Sequence, residues 1–114
     1  MSILLADERP EALQKGYRAN FRWKLAEPLD ESRLAAFLMT KHRRSDMDWT
    51  RRPSPFFATL GQASIECSVP IAGSESLGEL ERVLTDELKG ILAGASHMHD
   101  QMVTGEDWRL VSPP

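Results

Sequence analysis

Basic residues are concentrated in one short stretch, residues 41–53, which reads KHRRSDMDWTRRP. The whole chain nevertheless has a formal net charge of −3. Arginine and tryptophan are typical anchors of protein interfaces, and arginine also contacts phosphate. Asp46 and Asp48 lie just before the stretch's Trp49 and would repel phosphate, which favours a protein partner over a nucleic acid. The residues predicted to contact the partner here are Arg43, Arg44, Trp49, Arg51 and Arg52.

A second candidate for chemistry is SHMHDQM, residues 96–102, because His97, His99 and Asp100 are potential metal ligands. Successive helical residues are about 100° apart, so His97 and His99 point about 200° apart in a continuous helix. They share a face only if the helix breaks at Gly94. We interpret both histidines as exposed residues near a helix C-terminus, and we predict no metal and no cofactor.

The single cysteine, Cys67, has no partner for a disulfide or a redox motif, which favours a reducing compartment and a cytoplasmic location. Strand alternation places it with Ile65 and Val69 on an apolar face, where a thiol behaves as a small hydrophobe. The sequence has no nucleophile elbow, no phosphate-binding glycine loop and no zinc-protease helix. These features favour a non-enzymatic protein.

The element that would position a basic surface is residues 17–25, YRANFRWKL. Apolar and polar residues alternate there, which predicts a half-buried strand. The apolar set is Tyr17, Ala19, Phe21, Trp23 and Leu25. The polar set contains Arg18, Arg22 and Lys24, which we predict to flank the basic stretch as a second part of the binding surface. The alternative is a solvated surface without a partner, in which Arg22 pairs with Glu66 across strands and Arg43 and Arg44 complement the dipole of the helix.

Helix signals follow at two places. Asp30 is a good N-cap for a helix that runs to the basic stretch, and Ser76 with Glu79 forms a capping box for a second helix. Two strands are predicted between these helices, with their turn at Gly61, and a last strand is predicted over residues 107–111.

The predicted order is therefore strand, helix, strand, strand, helix, strand. It indicates a single α+β domain over residues 1–114, a two-layer sandwich in which a four-stranded antiparallel sheet carries two helices on one face, in the ferredoxin-like order. Residues 1–15, with one helical turn after Pro10, and residues 112–114 are predicted to be loose ends. No apolar run is long enough for a membrane span, so no membrane partner is expected.

Such a fold does not determine a function. The sequence favours a small cytoplasmic protein-interaction module that binds an acidic partner, or a second copy of itself, through the basic stretch and the open face of the sheet. The alternative is a nucleic-acid-binding module that uses the same residues. A third interpretation is an enzyme or carrier for a small acidic metabolite.

Overall fold

The structure is a computed structural model that describes residues 3–46, 55–71 and 76–104, with side chains except those of residues 43–46 and 102–104. Within these ranges the elements are β1 (Glu11–Lys15), β2 (Arg18–Lys24), α1 (Glu31–Asp46), β3 (Phe56–Ala58), β4 (Ser64–Pro70) and α2 (Leu77–Thr104). The four described strands form one antiparallel sheet in the order β1-β2-β4-β3.

The predicted α+β class, with a four-stranded antiparallel sheet and two helices, is confirmed, but the ferredoxin-like order is wrong. The described chain opens with the β1–β2 hairpin, and β1 is the sheet neighbour of β2 on its outer side. Strand β1 lies where a helical turn after Pro10 was predicted. The predicted last strand, residues 107–111, lies outside the described residues.

The β1–β2 hairpin depends on a two-residue turn. Lys15 and Arg18 are directly paired, so Gly16 and Tyr17 are the central turn residues. Gly16 has a φ of 61° and Tyr17 has a negative φ, which is the pattern of a type II′ turn. Tyr17 therefore lies in the turn and is 87% exposed, which corrects its predicted place on the apolar face of the strand.

The core lies between the sheet and the two helices. In β2 every second residue is buried, namely Ala19, Phe21 and Trp23, as the alternation predicted. The Trp23 ring is 5.5 Å from the Phe56 ring between centroids, and the core also contains Phe37 of α1. These contacts fix which face of the sheet is covered by the helices.

Both helices begin at the predicted caps. The backbone N–H of Arg33 donates to Asp30 Oδ1 over 2.8 Å, and that of Glu79 donates to Ser76 Oγ over 3.1 Å. Helix α2 is continuous through Gly94, so the break considered there does not occur. Gly94 instead lies against α1, since a Cβ at this position would be 3.0 Å from Thr40 Cγ2. Over the described residues, no helix combines the length and the apolar character needed to cross a membrane.

Candidate functional site

Several predicted site residues lie on the sheet face opposite the helices. We call it the open sheet face, and the strand register defines its members. They are Glu11, Leu13, Lys15, Arg18, Asn20, Arg22, Lys24, Phe57, Ser64, Glu66, Ser68 and Pro70. All of these residues are exposed or partly exposed, whereas the alternate residues of β2 face the core.

One row of side chains crosses all four strands of this face. In the register, Phe57 is opposite Glu66, Glu66 is opposite Arg22, and Arg22 is opposite Glu11. Arg22 Nε donates to Glu66 Oε1 over 3.0 Å, and Arg22 Nη1 is 3.9 Å from Glu11 Oε2. The centre of the open sheet face is thus a guanidinium between two carboxylates.

The remaining predicted cations of the face also have partners. Lys24 Nζ is 3.5 Å from Glu11 Oε1, and Arg18 donates to both the side-chain and the backbone oxygen of Ser68 over 3.1 Å. Because these groups are exposed, the ion pairs stabilise the fold only weakly. They do, however, offset the positive charge of β2, so the face presents both signs of charge.

A shallow hollow of about 370 Å³ lies on this face. The polar side chains of Asn20, Arg22 and Glu66 line its centre, and Leu13 and Phe57 line it from the two outer strands. Leu13 is 64% exposed and Phe57 is 62% exposed. The hollow thus combines two apolar contact points with a hydrogen-bonding floor.

The predicted partner-binding residues fall into two groups. Arg18, Arg22 and Lys24 lie together on the open sheet face. Arg43 and Arg44 belong to the last turns of α1, but their side chains lie outside the described set. Trp49, Arg51 and Arg52 lie outside the described residues, so their place relative to the sheet stays a prediction.

Lys41 connects the start of the basic stretch to the sheet. Its ammonium donates to the backbone oxygen of Phe56 over 2.7 Å and lies 5.7 Å from the centre of the Phe57 ring. The C-terminal part of α1 is therefore anchored beside edge strand β3. This contact brings the beginning of the basic stretch close to one end of the open sheet face.

The histidine candidates do not assemble a metal site in the described part of the chain. His97 is exposed, whereas His99 is buried, so the prediction that both are exposed is wrong for His99. His99 Nε2 lies 2.9 Å from Ser32 Oγ, and the Ser32 hydroxyl donates to Asp30 Oδ1. The described residues contain no group of three potential ligands. His99 instead connects α2 to the first turn of α1.

Cys67 is buried in the core, as the alternation predicted. Burial raises the pKa of its thiol to about 12, and the negative charge of Glu87 contributes in the same direction. Because the thiolate is the reactive species, a neutral buried thiol is a poor nucleophile. This residue is therefore a packing residue.

The sequence analysis missed Phe57 and the β1 members of the open sheet face, which are Glu11, Leu13 and Lys15. Strand β1 lacks the alternation that identified β2, and all five of its residues are exposed. The signal available in the sequence was the glycine at position 16 before the alternating segment, which is typical of a tight hairpin turn.

Comparison of the chain with protein-family models, curated proteins and solved structures found no match.

Proposed function

We propose that this chain is a non-enzymatic protein-interaction module that binds another protein, or a second copy of itself, through its open sheet face. The observation that carries the proposal is the row Phe57–Glu66–Arg22–Glu11, which combines exposed apolar and paired charged side chains on one surface. Interfaces typically combine apolar anchors, arginine and a hydrogen-bonding surround.

The charge distribution favours a protein over a nucleic acid on this face. Phosphate binding needs cations that are not already offset, and an extended aromatic surface is needed to stack bases. Here Glu11 and Glu66 stand among the cations, and the aromatic residues of β2, Phe21 and Trp23, are buried on the other side. Nucleic-acid binding by Trp49, Arg51 and Arg52 remains the alternative, and a small acidic metabolite the third interpretation.

Photo-crosslinking from the open sheet face tests the proposal. We would place p-benzoylphenylalanine at position 57, irradiate living cells that contain the protein, and analyse the adducts by mass. We expect protein adducts that are destroyed by protease and survive nuclease. An adduct of twice the chain mass would identify a second copy, and another mass would identify a foreign partner.

The matched control is the same photo-reactive residue at position 83. Val83 is 56% exposed, so it resembles Phe57 in accessibility, but it lies on α2. Equal protein yields from the two positions would contradict a specific role of the open sheet face. Adducts that disappear with nuclease would replace the proposal by the nucleic-acid alternative.

A further inference from the structure

The two edges of the sheet differ in their ability to pair with another strand. Edge strand β3 has three residues, and the Phe56 carbonyl accepts a hydrogen bond from Lys41. Edge strand β1 has five exposed residues, and on its outer side it has no strand neighbour among the residues described. An open edge is a template for a further strand, and proteins usually shorten or cover such edges. Within the described ranges, the edge of β1 is therefore the longer of the two and the one open to pairing.

The hairpin geometry determines which backbone groups of β1 point outward. In a two-residue hairpin the closing pair, Lys15 with Arg18, exchanges hydrogen bonds, and bonded and non-bonded pairs then alternate along the strands. Leu13 and Glu11 are therefore also bonded toward β2. The N–H and C=O groups of Ala12 and Gln14 consequently point to the open edge.

We propose that two copies of this chain associate by antiparallel pairing of their β1 strands in the register centred on Leu13. This inference goes beyond the proposed function, because it concerns the edge of β1 and a second copy of the chain, and it leaves the open sheet face uncovered. In this register Ala12 is opposite Gln14 of the second copy, so the outward backbone groups of both residues bond to each other. Leu13 meets Leu13 of the second copy on the two-fold axis, where non-hydrogen-bonded side chains come closest.

The charges of β1 select this register. Its sequence, EALQK, has Glu11 and Lys15 on the same face as Leu13. The two-fold arrangement places Glu11 of each copy directly opposite Lys15 of the other, and directly opposed charges of opposite sign stabilise a strand pair. Parallel pairing in register would instead oppose Glu11 to Glu11 and Lys15 to Lys15. A shift by two residues, which keeps the same faces, would lose both Glu11–Lys15 pairs.

The pairing would extend the sheet across both copies. The two open sheet faces would lie side by side, with the two Leu13 side chains at the centre of the combined surface. Charged residues at a sheet edge normally discourage association. In β1 they oppose like signs in the parallel in-register arrangement and opposite signs in the self-complementary one, so they favour the self-complementary arrangement.

Charge reversal with rescue tests the register. We would measure the dimer dissociation constant of the whole chain by sedimentation from about 1 µM to 1 mM. Lys15→Glu places a second carboxylate opposite Glu11 of the other copy at both ends, and we expect the constant to rise by about tenfold or more. Lys89→Glu, an equivalent reversal at an exposed site on α2, should leave it unchanged.

An equimolar mixture provides the rescue. In a homodimer of the Glu11→Lys variant, two lysines are opposed at each end, and in a homodimer of the Lys15→Glu variant two glutamates are opposed at each end. A heterodimer of the two variants restores a pair of opposite charges at both ends. We expect heterodimers to dominate in native mass spectra of the mixture. A wild-type chain that stays monomeric over the whole concentration range would overturn the proposal, as would a Lys15→Glu variant that dimerises normally.

A disulfide test covers the case in which charge reversal disturbs the hairpin. Non-hydrogen-bonded partners have Cα atoms about 4.5 Å apart, which is within the range for a disulfide. Leu13→Cys should therefore form a covalent dimer under mild oxidation, and the native Cys67 will not interfere because it is buried. Lys15→Cys is the control, since its two copies would lie about 14 Å apart along the strands. Failure of the Leu13→Cys variant to crosslink, or equal crosslinking by both variants, would contradict the register.

These outcomes separate the inference from the proposed function. If Leu13→Cys does not crosslink but the residue at position 57 captures a foreign protein, the self-pairing is wrong and the interaction module stands. If neither experiment yields a protein contact, both are wrong.

Discussion

Among single residues, Trp23 contributes most clearly to the definition of the fold. It is fully buried, its ring packs between those of Phe21 and Phe56, and its indole N–H donates to Thr85 Oγ1 over 3.0 Å. A buried indole normally needs such an acceptor. The bond connects the sheet to α2 and so helps to hold the helix layer against the Trp23 side of the sheet, which is opposite the open sheet face.

A double-mutant cycle measures the value of this hydrogen bond. Thr85→Val keeps the side-chain shape but removes the acceptor, and we expect a loss of about 1–3 kcal/mol in the free energy of unfolding because the indole N–H is left unpaired. In a Trp23→Phe background the same substitution should cost much less, since no N–H remains. Denaturant unfolding followed by circular dichroism gives the four values. Equal costs in both backgrounds would show that the bond contributes nothing.

Among the elements, the helices could be predicted from the sequence because each has a periodic apolar pattern and an N-cap signal, and β2 could be predicted from its alternation. The cap residues Asp30 and Ser76 bond as expected. Strand β1 could not be predicted, because Glu, Ala, Leu, Gln and Lys all favour helices and the segment buries no side chain. It becomes a strand by pairing with β2, which is a tertiary effect.

The same reasoning explains which part of the candidate site was predictable. Alternation alone placed Arg18, Arg22 and Lys24 on one face, and the cross-strand pair of Arg22 with Glu66 was expected. Glu11 and Leu13 reach that face only through the β1–β2 turn, which depends on a single glycine with positive φ. The surface therefore has more negative charge and more apolar area than its sequence signals indicated.

The cap of α1 makes stability depend on pH in a predictable direction. The pKa of Asp30 is lowered, first by the backbone N–H of Arg33 and then by the Ser32 hydroxyl. A lowered folded pKa stabilises the fold above the unfolded pKa, about 3.9, and this contribution is lost as the pH falls from there through the folded pKa. Asp30→Ala should therefore cost about 1 kcal/mol at neutral pH and progressively less in acid.

The matched control for the cap is Asp30→Asn, which retains an acceptor oxygen without the charge. It should keep most of the stability at neutral pH, and its stability should lack the part of the wild-type acid dependence that comes from the titration of Asp30. Urea unfolding at several pH values provides the comparison. A stability difference between wild type and Asp30→Ala that does not change between neutral and acidic pH would refute a charged cap.

At the scale of the whole molecule, the described N-terminal segment is anchored to helix α2, which is distant from it in the sequence. The Ser96 hydroxyl accepts from the Ile3 N–H over 3.0 Å and donates to the Ile3 carbonyl over 3.1 Å. Farther along, Ala6 N–H donates to the Lys24 carbonyl, and Arg9 forms an ion pair with Glu81 at 3.0 Å. These contacts determine the path by which the chain enters β1, and therefore where the open edge lies.

Removal of the Ser96 hydroxyl tests whether this anchor determines the position of strand β1 at the open edge of the sheet. Ser96 is 1% exposed, so Ser96→Ala leaves a backbone donor and an acceptor of Ile3 unpaired in the interior, which should cost about 1–3 kcal/mol of unfolding free energy. Hydrogen exchange should accelerate at Ala6 and then along β1, whereas α1 should be affected only by the global loss. Ser64→Ala, on the open sheet face, is the control and should change neither quantity. If exchange in β1 stays at its wild-type rate although Ile3 is released, the strand is held by its turn and β2 alone, and the N-terminal anchor does not determine the edge.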